Sequence, residues 1–191
     1  MKETEGTTPT RLRRFIRWLR GSAAALIFAV AGKAGAPPPM DEYVLKAQAL
    51  VELSPYFKWP DTRDANRSFV IVVVGGSPFG AKLDTYARGR TVQGRKIEVL
   101  YAARTAAIPP CDLVFICRSE RRSAGEILDW ARGRGVLTVA DDESLLKKGV
   151  MVDLLAEANL LKLYVNPASA AAEKFVISSQ LLRLAKIVDN H

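Results

Sequence analysis

Histidine is almost missing from this chain: its 191 residues hold one, His191, at the very end. A terminus frays and is a poor seat for a general base, so a histidine-based catalytic triad is excluded. Cysteine is nearly as scarce, with Cys111 and Cys117 alone. That rules out a disulfide-framed mini-protein and a thiolate-rich metal centre. Glycine (13) and proline (10) stand at ordinary levels, and 49% of the chain is apolar, which excludes collagen-like and disordered readings. No Gly-Lys-Ser/Thr follows the one glycine-rich loop, so a P-loop is absent. A uniform basic field is also lacking. Residues 1–40 carry seven basic and two acidic side chains, whereas residues 41–191 carry 21 and 18. The formal charge of +8 therefore sits mostly in the leader, and the body lacks the Lys/Arg stripe with interleaved aromatics that nucleic acid would need.

What the first forty residues do contain has the three parts of an export signal. A cationic run (Arg11, Arg13, Arg14, Arg17, Arg20) precedes the apolar stretch Ser22 to Ala31. That stretch is about ten residues long, where a helix crossing a bilayer needs roughly 20. It does not span, and residues 1–36 read as a signal peptide directing the protein to the periplasm. Cleavage has two small-x-small candidates, Ala34-Gly35-Ala36 and Ala29-Val30-Ala31. No cysteine follows the run, so a lipoprotein anchor is excluded.

Residues 41–190 read as a single α/β domain. Val44, Leu45, Ala47, Leu50, Val51, Leu53 and Phe57 recur at helical spacing after the N-cap candidate Asp41, and Trp59-Pro60 stops that helix. Phe69 to Val74 is an unbroken β-branched run, the mark of a central parallel strand covered on both faces. Pro78 then suits the first turn of a helix running to about Arg88. Further strands are expected at 96–101, 112–117, 136–140 and 150–155, with helices at 121–132 and 144–147. Leu160 to Asn166 reads as a strand turning back antiparallel, and Ala168 to Val188 as a helix interrupted near Val176. The fold expected is three-layered α/β: a mostly parallel sheet with helices on both faces and an antiparallel edge. Cys111 and Cys117 bracket a buried strand, which sets their Cα atoms roughly 20 Å apart, beyond the reach of a bridge.

Chemistry-bearing residues are few. The loop Gly75-Gly76-Ser77-Pro78-Phe79-Gly80 follows a strand and precedes a helix, where backbone N–H groups can meet a ligand; a tight turn is the alternative. Trp59 is either a core lid or a stacking surface. Tyr56, Phe57, Trp59 and Phe79 could form an apolar partner patch or simply pack helix against strand. Asp141-Asp142-Glu143 reads as a solvated turn capping the next helix. Arg88, Arg90, Arg95 and Lys96 straddle a turn and read as a solvated rim, with phosphate binding as the alternative. No metal site and no cofactor are indicated.

A resemblance is carried by several segments in order: Tyr43-Val44-Leu45-Lys46-Ala47, Phe57-Lys58-Trp59-Pro60, Val74 to Gly80, Val92-Gln93-Gly94-Arg95 and Cys111 to Ile116. Val136 to Asp141, Lys162 to Pro167 and Ile177 to Ala185 continue it. Together, over about Tyr43 to Ala185, they resemble the YfiR-type periplasmic repressors of membrane diguanylate cyclases. The resemblance implies an exported homodimer without enzymatic activity that binds the periplasmic sensor domain of an inner-membrane diguanylate cyclase. It would hold the cyclase inactive, restraining cyclic di-GMP and biofilm formation. The expected partner or ligand contacts are Trp59, Gly75, Gly76, Ser77 and Phe79.

Overall fold

The computed structural model describes residues 41–60, 67–157 and 160–188. The leader with its cleavage point, most of the polar loop after Pro60, the turn at 158–159 and His191 lie outside the described residues.

Helix α1 (Glu42–Leu53) starts where Asp41 caps it, its carboxylate accepting from the backbone N–H groups of Tyr43 at 3.0 Å and Val44 at 3.4 Å. It ends earlier than the expected stop at Trp59-Pro60. Pro55 cannot donate to the helix, the chain tightens into a 3-10 turn (Ser54–Tyr56), and Phe57–Lys58 becomes the short strand β1. Strand β2 (Phe69–Val74) follows, and all six of its residues are buried. Phe69, Ile71 and Val73 enter the core beneath α1, while Val70, Val72 and Val74 enter a second core on the opposite face. A strand apolar on both sides can only be central, and each fully buried Val or Ile contributes about 1.5–3 kcal/mol.

Pro78 does not open the next helix. Gly80, at φ +54°, first turns the chain, and α2 (Lys82–Ala87) begins beyond it. Then come β3 (Thr91–Val92), β4 (Arg95–Ala102), β5 (Leu113–Ile116), α3 (Ala124–Ala131), β6 (Leu137–Ala140), α4 (Glu143–Leu146), β7 (Val152–Glu157) and β8 (Leu160–Val165). The expected last helix is instead four short elements: α5 (Pro167–Ala172), β9 (Val176–Ile177), α6 (Ser179–Leu182) and β10 (Lys186–Ile187). Lys174, at φ +62°, breaks the helical path, and β9 pairs antiparallel with β1, far away in sequence.

The large sheet runs β10-β8-β7-β6-β5-β2-β4-β3. Its interior pairs are parallel, β7 and β8 pair antiparallel as expected, and β3 adds a second antiparallel pair at the other edge. The strand after β7 is not the edge, because β10 lies outside it in parallel. With α1 and α2 on one face and α3 on the other, the architecture is the three-layered α/β fold. Cys117 faces the α1 core and Cys111 the α3 core, both buried, and no disulfide joins them.

From β2 the chain goes to β4 on one side and then crosses to β5 on the other. The crevice at the carboxyl ends of β2 and β5 is thus a topological switch point, the place where open α/β sheets present their loops to ligands.

Candidate functional site

Three loops meet at the switch point: 75–81 after β2, 117–123 after β5 and 141–142 after β6. Gly75 sits at φ +98°, and a Cβ there would lie 2.4 Å from the Ser119 Oγ and 2.7 Å from the Glu120 Cγ. Only glycine allows this turn and this approach together. The Gly76 N–H donates to the Ser119 Oγ at 2.9 Å, and the Ser119 hydroxyl donates to a Glu120 carboxylate oxygen at 3.1 Å. The Ser77 Oγ accepts from the Phe79 N–H at 3.4 Å. Neighbouring loop atoms already occupy these donors, so the loop is knit to the 117–123 turn. Gly76 is exposed and Ser77 half-buried on the rim.

Phe79 is fully buried, meeting Phe115 edge to face at 4.9 Å and Tyr43 at 5.6 Å. Trp59 is buried as well, among Phe69, Phe175 and Phe57, with its indole N–H donating to the Asp112 carbonyl at 3.1 Å. Trp59 and Asp112 stand at the amino end of the sheet. The structure therefore places Trp59 and the Gly75–Phe79 loop at opposite ends of β2, about 20 Å of strand apart.

Beneath the rim lies a cluster of buried charges. Lys46, on α1, is wholly buried, and its Nζ donates to the Asp141 Oδ2 at 2.8 Å and also pairs with Glu42. The Tyr43 hydroxyl donates to the same Asp141 oxygen at 3.0 Å, and the Arg118 Nε lies 3.4 Å from it. Burial and the Asp141 carboxylate push the Tyr43 hydroxyl well above its ordinary range, so it remains a donor. The expected solvated turn is thus half wrong. Asp141 is 1% exposed and ties α1 to the sheet end, while Asp142 does cap α4, accepting from the Ser144 N–H at 3.0 Å. Burial works to raise the Asp142 carboxyl, but bonds from Ser144 and Arg121 outweigh it and hold it below the usual value.

Asp153, on β7 beside Ala140, completes the cluster. It is fully buried, and neither carboxylate oxygen has a hydrogen-bond partner among the described residues; the Oδ1 of Asp141 is likewise unpartnered. Burial, with Asp141 and Asp142 adding to it, raises the Asp153 carboxyl to about 6. The nearby N–H groups of Asp142 and Leu154 oppose the rise without forming a hydrogen bond of good geometry. Burial, then the acids Asp141 and Glu120, push the Cys117 thiol up to about 12, which keeps it a thiol. Sequence reasoning passed over Lys46 and Asp153. The one available signal was a charged residue inside an apolar run, Leu45-Lys46-Ala47 and Val152-Asp153-Leu154.

Arg95, expected on a solvated rim, is in fact the partner of buried Asp112, reaching its two oxygens at 3.0 and 2.8 Å. Among the described residues, no group of three or more His, Cys, Asp or Glu is arranged to hold a metal ion. No described helix is long and apolar enough to cross a membrane. An open groove of about 710 Å³ runs between α1 and α2, lined in part by Val44, Lys82, Tyr86, Arg88 and Arg90.

No curated protein matches the chain. Among solved structures it is similar to the ABC domain in complex with L-Trp from Streptococcus pneumonia, at TM-score 0.52 and 9% identity over 77% of this chain and 60% of that one. It is also similar to a conserved domain protein from Vibrio cholerae O1 biovar eltor, at TM-score 0.53 and 14% identity over 76% of this chain and 59% of that one. The chain spans about three-fifths of each, and at these identities the likeness shows the fold alone. A family model does match, over residues 43–186, from the helix that carries Tyr43 and Lys46 to the last strand: the chain belongs to the YfiR/HmsC-like family.

Proposed function

We propose that the protein is a periplasmic repressor that binds the sensor domain of an inner-membrane diguanylate cyclase and favours its inactive state, lowering cyclic di-GMP and biofilm formation. The observation that carries this reading is the family match over residues 43–186, because YfiR/HmsC-like proteins are periplasmic regulators of diguanylate cyclases. The geometry supports a binding role in which the protein has no catalytic activity of its own. Lys46, Tyr43 and Asp141, beneath the rim, are spent on joining α1 to the sheet. The contact surface in this reading is the carboxyl-end rim. Gly76 and Ser77 lie on it, Phe79 supports it from below, and Trp59 braces the far end of the same core. A repressor of this kind acts by differential affinity: it shifts the cyclase only as far as it binds the inactive state better. The working form in this reading is a homodimer.

Deleting the gene is expected to raise cellular cyclic di-GMP, and tagged mature protein is expected to retain a membrane cyclase in a pull-down. Unchanged nucleotide levels in a clean deletion would sink the proposal.

A second reading, a small-ligand module, is favoured by the groove beside α2 with its cations Lys82, Arg88 and Arg90. The similar Streptococcus structure is described in complex with L-Trp. Thermal-shift titration with nucleotides, amino acids and cell-wall fragments separates the two readings, since a regulator acting by protein contact alone shows no shift.

A further inference from the structure

We propose that Asp153 is a proton-responsive site that sets how firmly the carboxyl-end rim is held together.

Around the strand ends, the carboxylates of Glu42, Asp141 and Asp142 face the cations Lys46, Arg118 and Arg121 in defined pairs. These three and three cancel, and Glu120, half-buried on the same turn, accepts from the hydroxyls of Ser119 and Ser123. Asp153 is a further carboxyl group, and it is the one with no cation and no hydrogen-bond donor in place among the described residues. The remaining elements around it supply no compensation. Tyr164 lies directly across on β8, and Lys186 of β10 is directed to the Tyr164 hydroxyl at 3.4 Å. Glu143 on α4 is exposed, as are Lys147 and Lys148 just after it and Glu126 and Asp129 on α3. Charge balance in this buried space therefore holds only while Asp153 keeps its proton.

Losing that proton places an uncompensated anion beside Asp141 and Asp142. The chain can relieve it by letting water reach β7 at the cost of the nearest contacts. Those are the Asp142 cap on α4, the Arg121–Asp142 pair, and the Asp141 contacts that hold α1 and the 118–121 turn. All of these build the rim. The rim is thus tight in an acidic envelope and looser at neutral pH, with the change centred at about 6. If the rim meets a cyclase, which rests on the function proposed above, envelope acidity would tune that contact.

The carboxyl carbon of Asp153, followed by NMR as pH is varied in the unaltered protein, is expected to titrate near 6. A midpoint at the ordinary aspartate value of about 3.9 would overturn the proposal, and this measurement needs no variant. Hydrogen exchange at 141–146 and 118–121, corrected for intrinsic rates, is expected to lose at least about tenfold in protection between pH 5 and pH 7. Asp153→Asn, which is isosteric and fixed neutral, is expected to abolish that loss; the same loss in the variant would overturn the proposal. Binding of a cyclase sensor domain at the two pH values is read separately. No binding at either defeats the repressor reading, while the NMR titration still decides the proton site.

Discussion

The two ends of the central sheet each bury a carboxylate, and they treat it in opposite ways. At the amino end, Asp112 is fully buried and fully answered. Arg95 reaches both its oxygens, Arg67 lies 3.0 Å from one, and the Val70 N–H donates at 2.9 Å. Arg95 also ties the carbonyls of Arg67 and Ser68, and the Trp59 indole holds the Asp112 carbonyl. At the carboxyl end, one oxygen of Asp141 and both of Asp153 have no hydrogen-bond partner among the described residues. Polar groups closed in this complete way rigidify a structure, whereas partly satisfied ones make its integrity conditional. The amino end is thus a fixed clasp, and the carboxyl end, where the loops of the switch point gather, responds to its surroundings.

Breaking the clasp should give the largest effect. Arg95→Ala removes the forked partner of a carboxylate that has no exposure to water, while Arg67, which also reaches it, sits in a half-exposed position. Stranding a buried charge costs about 3–5 kcal/mol, measured as a drop in the urea midpoint. A loss below about 1 kcal/mol would mean that the two ends do not differ as described.

The carboxyl end should show its difference in pH dependence. Folding raises the Asp153 carboxyl from 3.8 to about 6, so the folded state holds a proton that the unfolded chain has released. Stability is therefore greatest below pH 3.8 as far as this group is concerned, falls as pH rises to about 6, and stays level above. The full loss is about 3 kcal/mol, and Asp153→Asn should restore it at pH 7, with little change at pH 4. Asp112, in contrast, should give no such restoration when neutralised, since its anion is already matched.

This difference between the ends also marks how far the residue pattern could be read. The central strand, the first helix with its Asp41 cap, the antiparallel return of 160–165 and the separated cysteines were legible, because each rests on local periodicity or on reach along the chain. An interruption near Val176 was legible too, but not the strand it forms there, since a two-residue pairing of Val176–Ile177 with Phe57–Lys58 leaves no periodic trace, and the turn at Gly80 that delays α2 past Pro78 was not legible either. Lys46 was hidden for a related reason. A lysine between Leu45 and Ala47 can be buried only because Asp141, 95 positions later, meets it. Arg95 and Asp112 were likewise seen apart and not as a pair. For the site itself, the loop 75–80 was found from its glycines, while the charges beneath it depend on contacts between distant segments.

A smaller effect is expected at Gly75. A methyl group there would need a positive φ and would press on Ser119 and Glu120, whose contacts at 2.4 and 2.7 Å come from side chains of the adjacent turn. Gly75→Ala should cost about 2 kcal/mol in thermal or urea unfolding. Gly80→Ala, at φ +54° within the left-handed range and open in space, should cost less. The gap between the two variants measures how firmly the loops after β2 and β5 are knit.

The smallest effect bears most directly on how the carboxyl end is assembled. Asp142→Ala removes the cap on α4 and the partner of Arg121, a loss of about 1 kcal/mol. That contribution belongs to the anion, whose pKa is lowered in the fold, so it is present above pH 3.8 and disappears as acid protonates it. The same substitution takes one like charge away from Asp153 and should lower its titration midpoint from about 6. The two consequences run on different pH windows, one in acid and one near pH 6, so a single series of unfolding curves separates them. A midpoint for Asp153 that stays in place would show that the Asp142 charge has no part in setting it, and that the carboxyl groups of Asp142 and Asp153 act independently.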